Sequence, residues 1–399
     1  MYNINLHTDG TKNFRLIVTN AGISRAALSA YNLVIIWVVL LITKNPILAG
    51  LSDSMMTVPL ILSFIVGAYV DRIWNKKAVA MAAALLRFAL ICLILIADLT
   101  RITVIIVLTI YFSTFLIGFT SDILDSIRAS WTKAFLTEDF YKRGTSEISS
   151  VTMAAQAIGF IVSGVIISTG VYNSFMILSV ILLISVFPLI PVKHSNYGGS
   201  GSVKEYVKAG LKLAWKDKRI REIIIMGLIG NFIIGMAGIM FISLVQIGFR
   251  LPGIFVSLLF GLLVFGMAGG SIAGQKISGK IGLISIVSYT VIGLSLFSIS
   301  FLNSIFLTMI PAFFAGLSMG IGGVAVNTAI MRIVPSEMMA RIQGSFNTFG
   351  IAASSFSSII GGTLYEFLGQ SWGFAVLGIS MIMVNILILL FKDFSEMRY

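Results

Sequence analysis

The chain has 399 residues, of which 57% are hydrophobic and only 11% charged, and its mean hydropathy is +1.00. A soluble domain carries about 25% charged residues, so this chain lacks the polar surface to cover a water-soluble globule. A formal charge of +12 would point to nucleic acid in a soluble protein; here its position along the chain decides its meaning.

A bilayer core of ~30 Å takes ~20 mostly apolar residues as helix. Twelve such runs are predicted, at 14–42, 49–71, 78–98, 102–126, 146–169, 173–192, 221–246, 253–276, 281–302, 305–330, 341–365 and 372–391. They are continuous rather than alternating, which predicts helices and not barrel strands. With both termini cytoplasmic, outer segments hold only Lys44, Arg101 and Arg250 of the 28 Lys and Arg residues. Arg25 and Arg87 lie inside spans, and the rest fall on inner segments. That bias orients the chain by the positive-inside rule and removes the nucleic-acid reading.

The longest loop separates a half at 1–192 from a half at 221–399. Within the linker 193–220, Tyr197–Ser202 is Gly/Ser-rich and flexible. After it, Lys204, Lys208, Lys212 and Lys216 share one helical face, and Val203, Val207, Leu211 and Trp215 another. This pattern predicts an amphipathic helix at the cytoplasmic interface.

The chemistry available is narrow. The one cysteine, Cys92, excludes a disulfide framework, and His7 and His194 alone make neither a metal centre nor a catalytic triad. No nucleotide-binding G-x-x-x-x-G-K-[ST] loop occurs, and the polar first fifteen residues do not read as a secretory signal. No enzyme activity, cofactor or metal is expected.

Gly67-Ala68-Tyr69-Val70-Asp71-Arg72-Ile73-Trp74-Asn75-Lys76-Lys77 follows the second run. Gly270 to Lys280 stands at the matching place after the eighth, keeping the leading glycine and the final lysine without the acid. Corresponding segments in two six-span halves suit an internally repeated transporter. The G-x-x-x-D-R-x-x-x-K-K pattern and the six-plus-six layout resemble the major facilitator superfamily over nearly the whole chain. The stretch Val203–Arg221 and the segment Ile333–Ile342, with Pro335, Glu337 and Arg341, resemble its macrolide-efflux and enterobactin-exporter branch. The chain departs from the family in having Trp74-Asn75 in place of an aromatic-glycine pair. Its fifth span has Gly159 and Gly164 without the Gly-Pro pair of many drug antiporters.

The resemblance implies an all-α membrane protein of two six-helix bundles, a cavity lined mainly by spans 1, 4, 7 and 10, and alternating access. It also implies a cytoplasmic gate of Gly67, Asp71, Arg72, Lys76 and Lys77, with Asp122 and Asp125 as its span-4 acids. A multi-pass protein of the plasma membrane, working as a monomer on a small-molecule substrate with protons or another coupling ion, is the expectation.

Charges inside spans are costly, on the order of 2.5–3.5 kcal/mol at the helix centre, and persist only beside a cavity or a partner. Arg25 follows Arg15, and Arg87 follows Lys77, by ten residues, so each lies roughly 15 Å deep. No carboxylate is expected at that depth. They are read either as bonded to carbonyls, water or a long-reaching Asp53, or as an electropositive wall for an anionic or polar group. Arg25, Ser29 and Asn32 recur on one helical face, and Asn231, Asn327, Gln156, Gln246, Gln343 and Asn347 add polar candidates. The 18 Met and 29 Phe residues could line an adaptable greasy pocket. Asp53, Asp122, Asp125 and Glu147 are the acids available to carry a proton. The leading expectation is proton-coupled export of a small amphipathic molecule. The rivals are transport of organic anions, phosphate-bearing compounds or lysolipids, and a non-transporting sensor.

Overall fold

The computed structural model describes residues 6–62, 66, 69, 70, 73–137, 140–193, 217–333 and 336–397. Gly67, Asp71, Arg72 and the expected interfacial helix at 203–216 lie outside the described residues, as do the side chains of Glu337, Arg341, Gln343 and Asn347. Every regular element described is helical. They are α1 (Leu6–Thr43), α2 (Pro46–Thr57), α3 (Lys76–Leu99), α4 (Thr103–Phe135), α5 (Tyr141–Ser168) and α6 (Val171–Ile184). Then come α7 (Lys218–Ser243), α8 (Ile254–Gly274), α9 (Ile281–Ile299), α10 (Ile305–Ile333), α11 (Ser336–Leu390) and the short α12 (Lys392–Ser395).

Ten helices among the described residues are long and apolar enough to cross a membrane. Three of the expected runs are not separate long helices. The run at 49–71 is described as α2 and a 3-10 turn, Val58–Leu62. The last two runs form one stretch, α11, interrupted at Gly369 with φ 65° and ψ −164°. That left-handed φ cannot continue a helix and costs glycine little, so α11 has two limbs. The fourth run also ends later than expected. Its apolar stretch stops near 126, but α4 continues to Phe135 because Ile127 and Trp131 still face the core. Arg128, expected on an inner loop, is therefore inside a helix.

Outward-facing Phe265, Phe367 and Trp372 are at least 70% exposed, as suits side chains whose solvent is lipid. At three of the turns expected on the outer face stand Lys44, Arg101 and Arg250, with φ of 56°, 57° and 54°. Each follows a helix, and the Lys44 N–H returns to the Leu40 carbonyl at 2.9 Å. A cation there meets the negative end of the helix dipole, so these exceptions to the charge bias terminate helices.

The chain forms two compact units, Met1–Ile35 with Met55–Val203, and Ile36–Ser54 with Lys204–Tyr399. The first has a core of Phe14, Ile17 and Val18 from α1, Ala80, Ala83 and Ala84 from α3, and Leu124, Ile127 and Trp131 from α4. In the second, α8 and α10 meet through glycines on both sides. A Cβ at Gly266 or Gly270 would strike the carbonyl of Phe313 or Leu317, and one at Gly316 or Gly320 that of Leu263 or Met267. With little hydrophobic drive between helices in lipid, such G-x-x-x-G faces hold them by close backbone approach. Gly270, read from sequence as the head of a loop motif, lies inside α8 and serves this packing.

The chain's end is strapped to the same unit. The Phe394 N–H donates to Glu222 Oε2 at 2.8 Å, Lys218 pairs with Asp393 at 2.8 Å, and the Ile281 N–H donates to the Met397 carbonyl at 2.7 Å. The C-terminal end of α1 and the start of α2 pack here too. Gln246 Nε2 donates to the Trp37 carbonyl at 3.1 Å, and Gly50 and Gly362 lie against the backbones of Ser358 and Pro46.

Candidate functional site: charges within the spanning helices

Arg25 is exposed on α1, with its Nε and one terminal nitrogen donating to Gln156 Oε1 of α5 at 3.2 and 3.0 Å. The pair can form because α1 and α5 touch one turn away: a Cβ at Gly159 would strike the Ala26 carbonyl and Ser29 Cβ. Gln156 is neutral, so the guanidinium charge is oriented but not compensated. The polar stripe of α1 divides. Ser29 is buried and its hydroxyl returns to the Arg25 carbonyl at 2.8 Å, while Asn32 is half-buried and already bonded. Only Arg25 presents an exposed polar group. In the second unit Asn231 on α7 and Asn327 on α10 are likewise exposed within apolar helices. Polar groups so placed are costly against lipid and suit a wet path.

Arg87 differs. It is 1% exposed, and its Nε donates to Thr120 Oγ1 of α4 at 3.1 Å. Side chains lean toward their helix N-terminus, which brings the guanidinium of α3 down to the level of Thr120. Its two terminal nitrogens are buried without a hydrogen-bond partner. An unpaired buried charge is a folding liability, and apolar replacements of buried ions are often neutral or stabilising. Arg87→Met is therefore expected to leave the thermal midpoint unchanged or raised. A lower midpoint would show that the guanidinium holds the structure together.

Close by lies a hub not expected from sequence. Arg128 is 8% exposed; its Nε and one terminal nitrogen donate to Asn20 Oδ1 at 3.0 and 2.7 Å, and the other pairs with Asp125 at 2.6 Å. Asn20 Nδ2 in turn donates to the Ser185 carbonyl at 2.6 Å. This joins α1, α4 and the end of α6. The signal available in the sequence was the Asp125/Arg128 spacing of one turn, hidden by ending the span at 126. Asp98, 6% exposed near the end of α3, was also overlooked among the acids.

Those residues of the expected gate that are described hold helix ends. Lys76, 2% exposed, donates to Ser130 Oγ at 2.6 Å, and Lys77 to the Ile190 carbonyl at 2.6 Å. Asn75, the departure from the family pattern, caps α3 by accepting from the Ala78 N–H at 3.0 Å. Asp53 accepts a hydrogen bond from Ser358. Asp122 is 7% exposed and its Oδ2 is buried with no partner.

Similarity to known proteins agrees with this picture. The fold matches a D-xylose–proton symporter with a TM-score of 0.72 at 12% identity, over 96% of this chain and 98% of that one. A POT family transporter in complex with a thioalcohol-conjugated peptide matches with a TM-score of 0.71 at 14% identity, over 95% and 96% of the two chains. A bacterial homologue of the iron transporter ferroportin, in an inward-facing state, matches with 0.69 at 13% identity, over 96% and 98%. No curated protein sequence matches the chain. The family model described as Major Facilitator Superfamily matches residues 18–358. With its apolar helices, its paired G-x-x-x-G faces and that match, the chain is a multi-pass membrane protein and belongs to the major facilitator superfamily.

Proposed function

We propose that this protein is a secondary active transporter that exports small amphipathic organic molecules in exchange for protons. It cycles by alternating access as a monomer of twelve spans in the plasma membrane, with both termini cytoplasmic, and is related to the macrolide-efflux and enterobactin-exporter branch. The observation that carries the substrate side is Arg25, exposed within an apolar helix and held by a neutral partner. A fixed, oriented cation of this kind suits a substrate with an anionic or strongly accepting group at one end, because the guanidinium fork matches carboxylate and phosphate. Asn231 and Asn327 supply further polar contacts, and the gate of Asp71, Arg72 and Lys77 controls the cytoplasmic side.

One observation favours a second reading, transport of organic anions, phosphate-bearing compounds or lysolipids. Neither Arg25 nor Arg87 has a carboxylate partner among the described residues.

Reconstitution into proteoliposomes with an imposed pH gradient tests both, using ethidium as cation, a neutral macrolide and carboxyfluorescein as anion. The export reading expects gradient-driven movement of the macrolide that collapses with a protonophore. Movement of carboxyfluorescein alone supports the anion reading. Movement of ethidium alone would rule out a role for Arg25 in attracting substrate.

A further inference from the structure

We infer that Asp122 is the residue that carries the coupling proton, an assignment that rests on the proton-coupled reading above. A proton carrier must be shielded from bulk water at some stage of the cycle. It must also be free of a partner that holds it permanently as the anion. The acids of the spanning helices divide sharply on these two requirements. Asp125 is paired with Arg128 at 2.6 Å and its side chain is 59% exposed. Asp53 accepts from the Ser358 hydroxyl. Asp98 is buried near the end of α3, but neither of its carboxyl oxygens is among the fully buried atoms left without a partner. Glu147 is exposed in the second turn of α5. Asp122 alone among them is buried with a carboxyl oxygen that meets no donor.

The charged groups around it are already committed elsewhere. On α4, Asp125 stands one turn along with like sign, and Arg128 is turned to Asn20 and Asp125. On α3, Arg87 reaches Thr120, Lys76 reaches Ser130 and Lys77 the Ile190 carbonyl. The 3-10 turn Val58–Leu62, which packs on α4, has no titratable side chain. On α5, Arg143 and Glu147 are exposed. On α1, Lys12 and Arg15 are exposed, and Arg25 is bonded to Gln156. Among the described residues, charge on Asp122 is thus uncompensated, whereas Asp125 and Asp53 have donors. Loading a proton removes that charge, and releasing it restores a carboxylate in search of donors. One turn before Asp122, Gly118 packs against Met56 and Pro59, so the proton is coupled to the packing of α4 against the 3-10 turn Val58–Leu62.

Two measurements on the full-length protein test the assignment. In lipid nanodiscs without substrate, pH-titrated infrared difference spectra report the carbonyl stretch of a protonated carboxyl group. The band is expected in the wild type, Asp53→Asn and Asp125→Asn, and is expected to vanish in Asp122→Asn. Its survival in Asp122→Asn overturns the assignment, whatever the substrate. In proteoliposomes, Asp122→Asn is compared with the wild type for the panel compound the wild type moves. Gradient-driven accumulation should fall to the gradient-free level. Asp122→Glu, which keeps a titrating group, is expected to restore accumulation with a displaced pH profile and covers the case in which the Asn variant folds poorly. Accumulation by Asp122→Asn equal to wild type overturns the proposal. A wild-type flux indifferent to pH overturns the proton-coupled reading itself, and the infrared titration tells the two failures apart.

Discussion

Arg25→Ala is expected to abolish transport and to leave the folded protein intact. The guanidinium belongs to an exposed residue and hydrogen-bonds to Gln156. Truncating such a side chain typically changes stability by within about 0.5 kcal/mol, so the thermal midpoint should match the wild type. A charge-assisted hydrogen bond to substrate is worth about 1.5–3 kcal/mol, and each 1.4 kcal/mol is about tenfold in affinity. Losing one such bond weakens recognition by about one to two orders of magnitude, and losing the bidentate fork by more. Arg25→Lys keeps the charge without the fork and should fall between. Proteoliposome uptake beside thermal unfolding reads both quantities. Wild-type turnover in the alanine variant would remove Arg25 from the substrate path.

The second large effect is structural. Gly270→Val should prevent the second unit from assembling, because a Cβ at Gly270 lands on the Leu317 carbonyl of the facing backbone. Backbone cannot rotate aside as a side chain can, so α8 and α10 must separate and give up the contacts at Gly266, Gly316 and Gly320 as well. Overpacking typically costs about 1–3 kcal/mol, and breaking a backbone-to-backbone seam belongs at or above the top of that range. Gly269→Val, one position earlier, is the control: its Cβ would meet nothing within 4 Å. Fluorescence size-exclusion profiles should show a monodisperse peak for the control and loss of the peak for Gly270→Val. Equal behaviour of the two would refute the seam.

Gly270 also shows where reading by pattern stops. Its place in Gly270–Lys280 marked a repeat of the Gly67–Lys77 segment, and the repeat was visible from residue identities alone. That the same glycine is a packing surface depends on Leu317, 47 residues away by sequence number, which no local pattern relates to it. Arg128 makes the same point. Apolarity locates the membrane core but not the helix end, since backbone hydrogen bonds carry α4 on to Phe135 past its last apolar run. Arg25 and Arg87 stood out equally in the sequence because both interrupt apolar runs. The structure separates them into an exposed, oriented cation and a buried one with two unmet nitrogens.

By itself, the sequence determined that this chain lives in a membrane, roughly where its helices run and which superfamily it resembles. These properties follow from composition, apolar run length and charge position, all of which are local. Only the tertiary structure decided which charges find partners: Arg128 with Asp125 and Asn20, Arg25 with Gln156, Asp53 with Ser358, and Asp122 Oδ2 with none among the described residues. The reason is physical. A charge within a span is tolerated or not according to the donors and acceptors that neighbouring helices bring to it, and those helices are distant in sequence.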